Sequence, residues 1–144
     1  MKTSLSHTTL DDLSKQATLA AERSYSPYSE FKVGAALLLT NGKVVTGTNV
    51  ENVSYGLTIC AERSALVRAV SEFGPSIRIA AVAVANLNET ASPPCGACRQ
   101  MLGEFAGPDV PVIFPAAVGT SAVHFDELLP FGFDMTLKKR PLGN

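Results

Sequence analysis

The sequence predicts an α/β domain: a three-layer α/β/α sandwich around a mixed sheet of about five strands. Two features lead there. Apolar residues recur at helical spacing in separate stretches, with strand-length apolar runs alternating between them. The dipeptide Asn41-Gly42 is a strong hairpin signal and sets an antiparallel pair near the start. With 144 residues and 46% hydrophobic content, residues 1–144 are expected to form a single domain with enough chain to bury a real core.

Taken in order, Leu10, Leu13, Ala17 and Ala20 form a helical stripe after Thr8-Thr9. Asp11-Asp12 suit the positive end of that helix dipole, and Pro27 is expected to end the helix. Residues 31–39 read as a buried strand, and Asn41-Gly42 turns the chain into a second strand, 43–48, which delivers Asn49 and Glu51 at its end. From Cys60 the period is helical again. Glu62, Leu66, Ala69 and Phe73 share a face, Gly74-Pro75 closes the helix, and Glu62 points inward.

Residues 77–85 are a nearly continuous apolar run, as expected for a central strand covered on both faces. A loop rich in Asn, Ser and Pro follows. Cys95, Cys98, Leu102 and Phe105 then fit one face of a third helix, with Pro94 at its start and Gly107-Pro108 beyond its end. Residues 110–114 supply another strand, 120–123 a less regular one and 126–129 a short helix, for which His124 is the plain entry residue. Residues 133–144 carry no strong core pattern, which suits docking on a neighbouring subunit or partial disorder.

Twelve basic residues against thirteen acidic ones give no general attraction to polyphosphate, so a small neutral substrate fits better than a nucleic-acid polymer. The first nine residues lack the apolar centre of a signal peptide, and no apolar run approaches the ~20 residues of a membrane span. A cytoplasmic setting is expected. It keeps thiols reduced and favours metal ligation over disulfides.

All three cysteines then fall into one pattern. Cys95-Gly96-Ala97-Cys98 follows Ser92-Pro93-Pro94, and Cys60-Ala61-Glu62 lies upstream. A lone C-x-x-C could equally be a redox pair, part of a structural zinc site or two buried thiols. Cys60 shifts that balance, because a structural site closes its shell with four ligands and this chain has no fourth cysteine. Its two histidines do not replace one: His7 lies in a polar N-terminal segment, and neither His7 nor His124 is at ligand spacing from a cysteine. Three thiolates leave one zinc position open for water, and a carboxylate two residues from one ligand can manage that water's protons. Glu62 alone could be a first-turn glutamate favouring the helix dipole; heading an apolar stripe beside a candidate ligand, it reads as functional.

These segments, Cys60-Ala61-Glu62 and Pro94-Cys95-Gly96-Ala97-Cys98, resemble the zinc-dependent cytidine deaminases. Similar matches run through Tyr25-Ser26-Pro27-Tyr28-Ser29, Phe31-Lys32-Val33-Gly34-Ala35-Ala36, Asn49-Val50-Glu51-Asn52, Ala61-Glu62-Arg63-Ser64-Ala65, Cys98-Arg99-Gln100 and Glu127-Leu128-Leu129-Pro130. They point to the small free-nucleoside branch, and cysteine as first ligand is similar to its homotetrameric class.

The resemblance implies hydrolytic deamination of cytidine and deoxycytidine, with one zinc per chain on Cys60, Cys95 and Cys98 and Glu62 carrying protons to N3 and the departing amine. It also implies that Arg63 lies against the cysteine sulfurs, where a cation offsets three thiolates; a solvated surface arginine is the alternative. Arg99 is a weaker candidate for the same task. Asn49 and Glu51 are implied as ribose contacts and Phe31, Tyr55 and the Ala61 backbone as pocket contacts, although Asn49 and Glu51 alone could be a strand-end turn. Phe133 matches an aromatic that reaches a neighbour's base; a core aromatic is the plain alternative. Two rivals stay open: a deaminase of another small base or nucleoside, such as a blasticidin-like substrate or guanine, and a non-catalytic zinc-binding module.

Overall fold

In the computed structural model, which describes residues 5–134, the expected mixed sheet has five strands in the order β2-β1-β3-β4-β5. The strands are β1 (Val33–Leu39), β2 (Val44–Thr48), β3 (Ile79–Asn86), β4 (Pro111–Pro115) and β5 (Thr120–His124). The helices are α1 (His7–Ala21), α2 (Ala61–Phe73), α3 (Gly96–Leu102) and α4 (Phe125–Leu128). Among the described residues, no helix is long and apolar enough to cross a membrane.

Side-chain alternation divides the central strands between two cores. Ala35, Leu37 and Leu39 of β1 and Val82 and Val84 of β3 join Ala65, Leu66 and Ala69 of α2 and Leu102 of α3. Ala36 of β1 and Ala81, Ala83 and Ala85 of β3 join Leu13 and Ala17 of α1 on the opposite face. Helices therefore cover both faces, which explains the unbroken apolar run of β3.

Asn41-Gly42 forms the expected turn between β1 and β2. Gly42 is at φ 86, its N–H donates to Leu39 O at 2.9 Å, and Asn41 Oδ1 accepts from Lys43 N at 2.9 Å. Strands β2 and β3 each pair antiparallel with β1 and so run parallel to one another, with α2 as their crossover. Strand β3 pairs parallel with β4 through α3. A helix that returns the chain between parallel strands runs against them, so α2 and α3 both begin at the edge where β2 and β3 end. That shared edge brings the two cysteine segments together.

Several boundaries differ from the sequence reading. Helix α1 starts at His7, because Ser6 Oγ accepts from Thr9 N, and it ends at Ala21, well before Pro27. His7 is thus the first residue of the helix. Strand β1 begins at Val33, not residue 31: Glu30 has φ 57, and Lys32 N is taken by an asparagine side chain in place of a strand partner. Helix α3 stops at Leu102, and Phe105 N returns to Leu102 O in a turn instead of extending the helix. His124 caps α4, with its N–H donating to Glu127 Oε2 at 2.7 Å. Of the patternless tail, only Phe133 and Asp134 fall within the described residues.

Candidate metal centre and adjoining cleft

Cys60 and Cys95 occupy the N-cap positions of α2 and α3, where Ser, Asp or Asn usually bonds the first turn. Neither cysteine side chain makes that cap bond, so both thiols are free to turn toward one another. Cys60 Sγ lies 3.8 Å from Cys95 Sγ, and Cys95 Sγ 3.4 Å from Cys98 Sγ in the first turn of α3. All three sulfurs fall within 4.8 Å of one another, and none is in a disulfide. Tetrahedral zinc with Zn–S of ~2.3 Å separates its sulfurs by about 3.8 Å, so this donor set fits the ion. Among the described residues no other group of three His, Cys, Asp or Glu residues has such geometry, and neither histidine joins this one.

The surrounding charges are unequal. Arg63 Nη2 lies 3.6 Å from Cys60 Sγ and donates to Thr58 O at 3.3 Å, while its buried Nε has no partner. The adjacent Cys98 thiol, and after it the Arg63 guanidinium, hold Cys60 down to about 5. Cys98 moves the opposite way, raised by its bond to Cys60, by burial and by Glu62. Negative charge in the cluster therefore collects first on Cys60, beside the arginine. Arg99 does not share that place, contrary to the sequence reading. Its Nε donates to Pro94 O at 2.7 Å and its Nη1 to Leu128 O at 2.9 Å, so it braces backbone instead of sulfur.

Glu62, one residue before Arg63, is 4% exposed in the first turn of α2. Burial is the main cause that pushes its carboxyl up, opposed by a hydrogen bond with Cys98. Ala61, the first residue of α2, is fully buried.

A cleft of about 350 Å³ is lined by Tyr28, Ser29, Glu51, Tyr55 and Thr58, and it is tied to the cluster through Thr58, whose carbonyl accepts from the arginine that lies against Cys60. Backbone bridges build it: Val50 pairs with Tyr25 on one side and Ile59 on the other, which sets Glu51 between the 25–29 turn and the approach to Cys60. Glu51 Oε1 accepts from Tyr28 N at 3.0 Å and Ser29 N at 3.2 Å, and Oε2 accepts from Ser29 Oγ. The Ser29 hydroxyl is the main cause that lowers the Glu51 carboxyl. Tyr55 stands 79% exposed in a short 3₁₀ turn, Tyr55–Leu57.

Asn49 is mostly committed inward. Its Oδ1 accepts from Val33 N at 3.0 Å and from Ser24 Oγ, and its Nδ2 donates to Phe31 O at 2.8 Å, leaving one amide hydrogen. Phe133 is in a different place. It is 74% exposed and lines a separate cavity of about 520 Å³ with Gln100, Phe125 and Leu129. The sequence reading gave no part to Ser29 or Thr58. No local spacing reveals them, since Ser29 meets Glu51 across 22 residues.

Comparison with known proteins agrees with this geometry. The family described as "Cytidine and deoxycytidylate deaminase zinc-binding region" matches residues 7–114. A cytidine deaminase of Halalkalibacterium halodurans is 46% identical over 122 residues, covering 84% of this chain and 91% of that protein. The crystal structure of cytidine deaminase from Mycobacterium tuberculosis superposes with TM-score 0.75 at 41% identity, covering 88% of this chain and 98% of that one. The Burkholderia pseudomallei enzyme gives 0.75 at 41%, covering 90% and 100%. With a matching zinc-binding region across three quarters of its length and three thiols arranged as zinc requires, this chain belongs to the cytidine and deoxycytidylate deaminase family.

Proposed function

We propose that this chain hydrolyses cytidine and deoxycytidine to uridine and deoxyuridine with release of ammonia. One observation carries the proposal: a buried carboxyl with raised proton affinity, Glu62, adjoins a three-thiol cluster whose outer member, Cys95, faces solvent. Cys60, Cys95 and Cys98 would hold zinc, which would supply the Lewis acidity that lets water add at C4 of the pyrimidine. Glu62 takes one proton from the attacking water to N3, which the product keeps, and carries the second, from the resulting C4 hydroxyl, to the departing amine, a task suited to a carboxyl whose proton affinity burial has raised. Arg63 offsets the excess charge of three thiolates.

In this reading Glu51 accepts the ribose hydroxyls, and the remaining Asn49 amide hydrogen donates to the sugar. Phe31, Tyr55 and the Ala61 backbone border the nucleoside. Phe133, turned to solvent in the single chain, reaches the base of a neighbouring subunit in a homotetramer with shared sites. Such a reaction suits cytoplasmic pyrimidine salvage.

The test is an ultraviolet assay of cytidine loss by protein of measured zinc content, with free cytosine and guanine alongside. Turnover of cytidine well above both bases supports the proposal. A zinc-loaded protein that leaves cytidine unchanged overturns it in favour of a non-catalytic module, and preference for guanine overturns the substrate.

A further inference from the structure

Between the 25–29 turn and strand β1, residues 30–32 lie outside the named strands, although Lys32 O accepts from Leu87 N at 3.1 Å just beyond β3. Glu30 has φ 57, a left-handed conformation that strains a non-glycine residue and persists only when its surroundings enforce it. Asn88, an exposed residue 56 positions downstream of Lys32, enforces it from outside. Its Oδ1 accepts from Lys32 N at 3.0 Å and its Nδ2 donates to Glu30 O at 3.0 Å. One side-chain amide thus brackets Phe31 as a strand partner would. Phe31 itself is fixed at both ends, its N–H donating to Ser29 Oγ at 3.0 Å and its carbonyl accepting from Asn49 Nδ2 at 2.8 Å.

The bracket is anchored toward the metal centre. Asn86 Oδ1 accepts from Asn88 N at 2.9 Å, and Asn86 Nδ2 donates to Ser92 Oγ at 2.8 Å and to Thr90 O at 2.6 Å. Ser92 N reaches Pro115 O at the end of β4 at 3.0 Å, and three residues later the chain arrives at Cys95. The loop that leads to the thiols therefore also holds the segment that carries Phe31.

We propose that Asn88 is a positioning residue for substrate binding: it fixes Phe31 against the nucleoside by clamping the strained turn at Glu30 to the loop that ends in Cys95. The inference rests on the nucleoside-deaminase reading above. It needs an amide specifically, because the clamp accepts at one atom and donates at the other; a carboxylate keeps only the acceptor.

Cytidine kinetics on zinc-quantified Asn88→Ala, Asn88→Asp, Phe31→Ala and the Asn88→Ala/Phe31→Ala double variant test this. Asn88→Ala should raise KM about five-fold, with kcat within about two-fold of the parent and one zinc per chain retained. Asn88→Asp should fall between Asn88→Ala and the parent. In the Phe31→Ala background, Asn88→Ala should add nothing further, since the residue it positions is gone. The same KM rise in both backgrounds, an unchanged KM, or a fall in kcat together with zinc loss would each overturn the proposal. If Asn88→Ala does not fold, Asn88→Asp decides, and a parental KM there overturns it. A zinc-loaded wild type without cytidine turnover would defeat the deaminase reading and this one with it, whereas normal wild-type turnover with an indifferent Asn88 defeats this one alone.

Discussion

Gly47 of β2 lies so close beneath α2 that a Cβ there would stand 2.4 Å from the Ala65 nitrogen and 2.8 Å from the Ala61 carbonyl oxygen. Both neighbours are backbone, so no side-chain rotation relieves the contact. Gly47→Ala must lift the first turns of α2 from the sheet and carry Cys60 and Glu62 with them. The expected result is a loss of about 1–3 kcal/mol in chemical denaturation and substoichiometric zinc. Parental stability with full zinc would mean that β2 does not fix the helix.

The electrostatics of Cys60 give a direct pH prediction. In zinc-free protein its thiol titrates at about 5, held there by Cys98 and Arg63. The group is a thiolate above that pH and a thiol below it. Ultraviolet thiolate absorbance should therefore show a first step near pH 5, absent in Cys60→Ser. Arg63→Gln removes a positive charge that favours the thiolate, so the step should move to higher pH. A first step at the ordinary thiol pH in the wild type would place the charge elsewhere.

Glu51 should matter to the sugar and not to the metal. Ser29 and two backbone N–H groups hold its carboxyl below the usual range, which favours the anionic form that would accept from sugar hydroxyls. Replacing it with Gln should lower kcat/KM for cytidine about 10- to 100-fold with zinc unchanged. Free cytosine, which has no ribose, should show no matching loss. Asn49→Ala should lower stability as well, because that side chain also secures Val33 N and Phe31 O.

The proposed sharing of sites between subunits predicts complementation. Glu62→Gln chains and Phe133→Ala chains should each be impaired, yet co-refolded mixtures should contain some sites with an intact Glu62 and a neighbour's intact Phe133. Activity above the parental average supports the trans arrangement. Mixed oligomers with only average activity, or a fully active monomer by light scattering, contradict it.

Local rules carried much of the fold. The Asn41-Gly42 turn, the apolar run in 77–85 that holds most of β3 and the two helices opening at Cys60 and Cys95 all follow from residue type and period. The three thiols are legible because a third cysteine, two residues before a glutamate, turns a C-x-x-C with several readings into a three-ligand set with one open position. What escaped was set by distant partners. Phe31 stays out of β1 because Asn88 and Asn49 take its neighbours' and its own peptide groups, and Arg99 bonds the carbonyls of Pro94 and Leu128, the latter 29 residues away. Pairings across 16 to 58 residues carry no periodic signature.

The proton-carrying role of Glu62 is tested most directly by cytidine turnover and zinc content measured together on the wild type and Glu62→Gln. The wild type should form uridine in proportion to bound zinc, and Glu62→Gln should keep one zinc per chain while losing at least about 100-fold in kcat. Zinc lost along with activity would make Glu62 a ligand, and near-normal turnover with zinc bound would remove it from the chemistry.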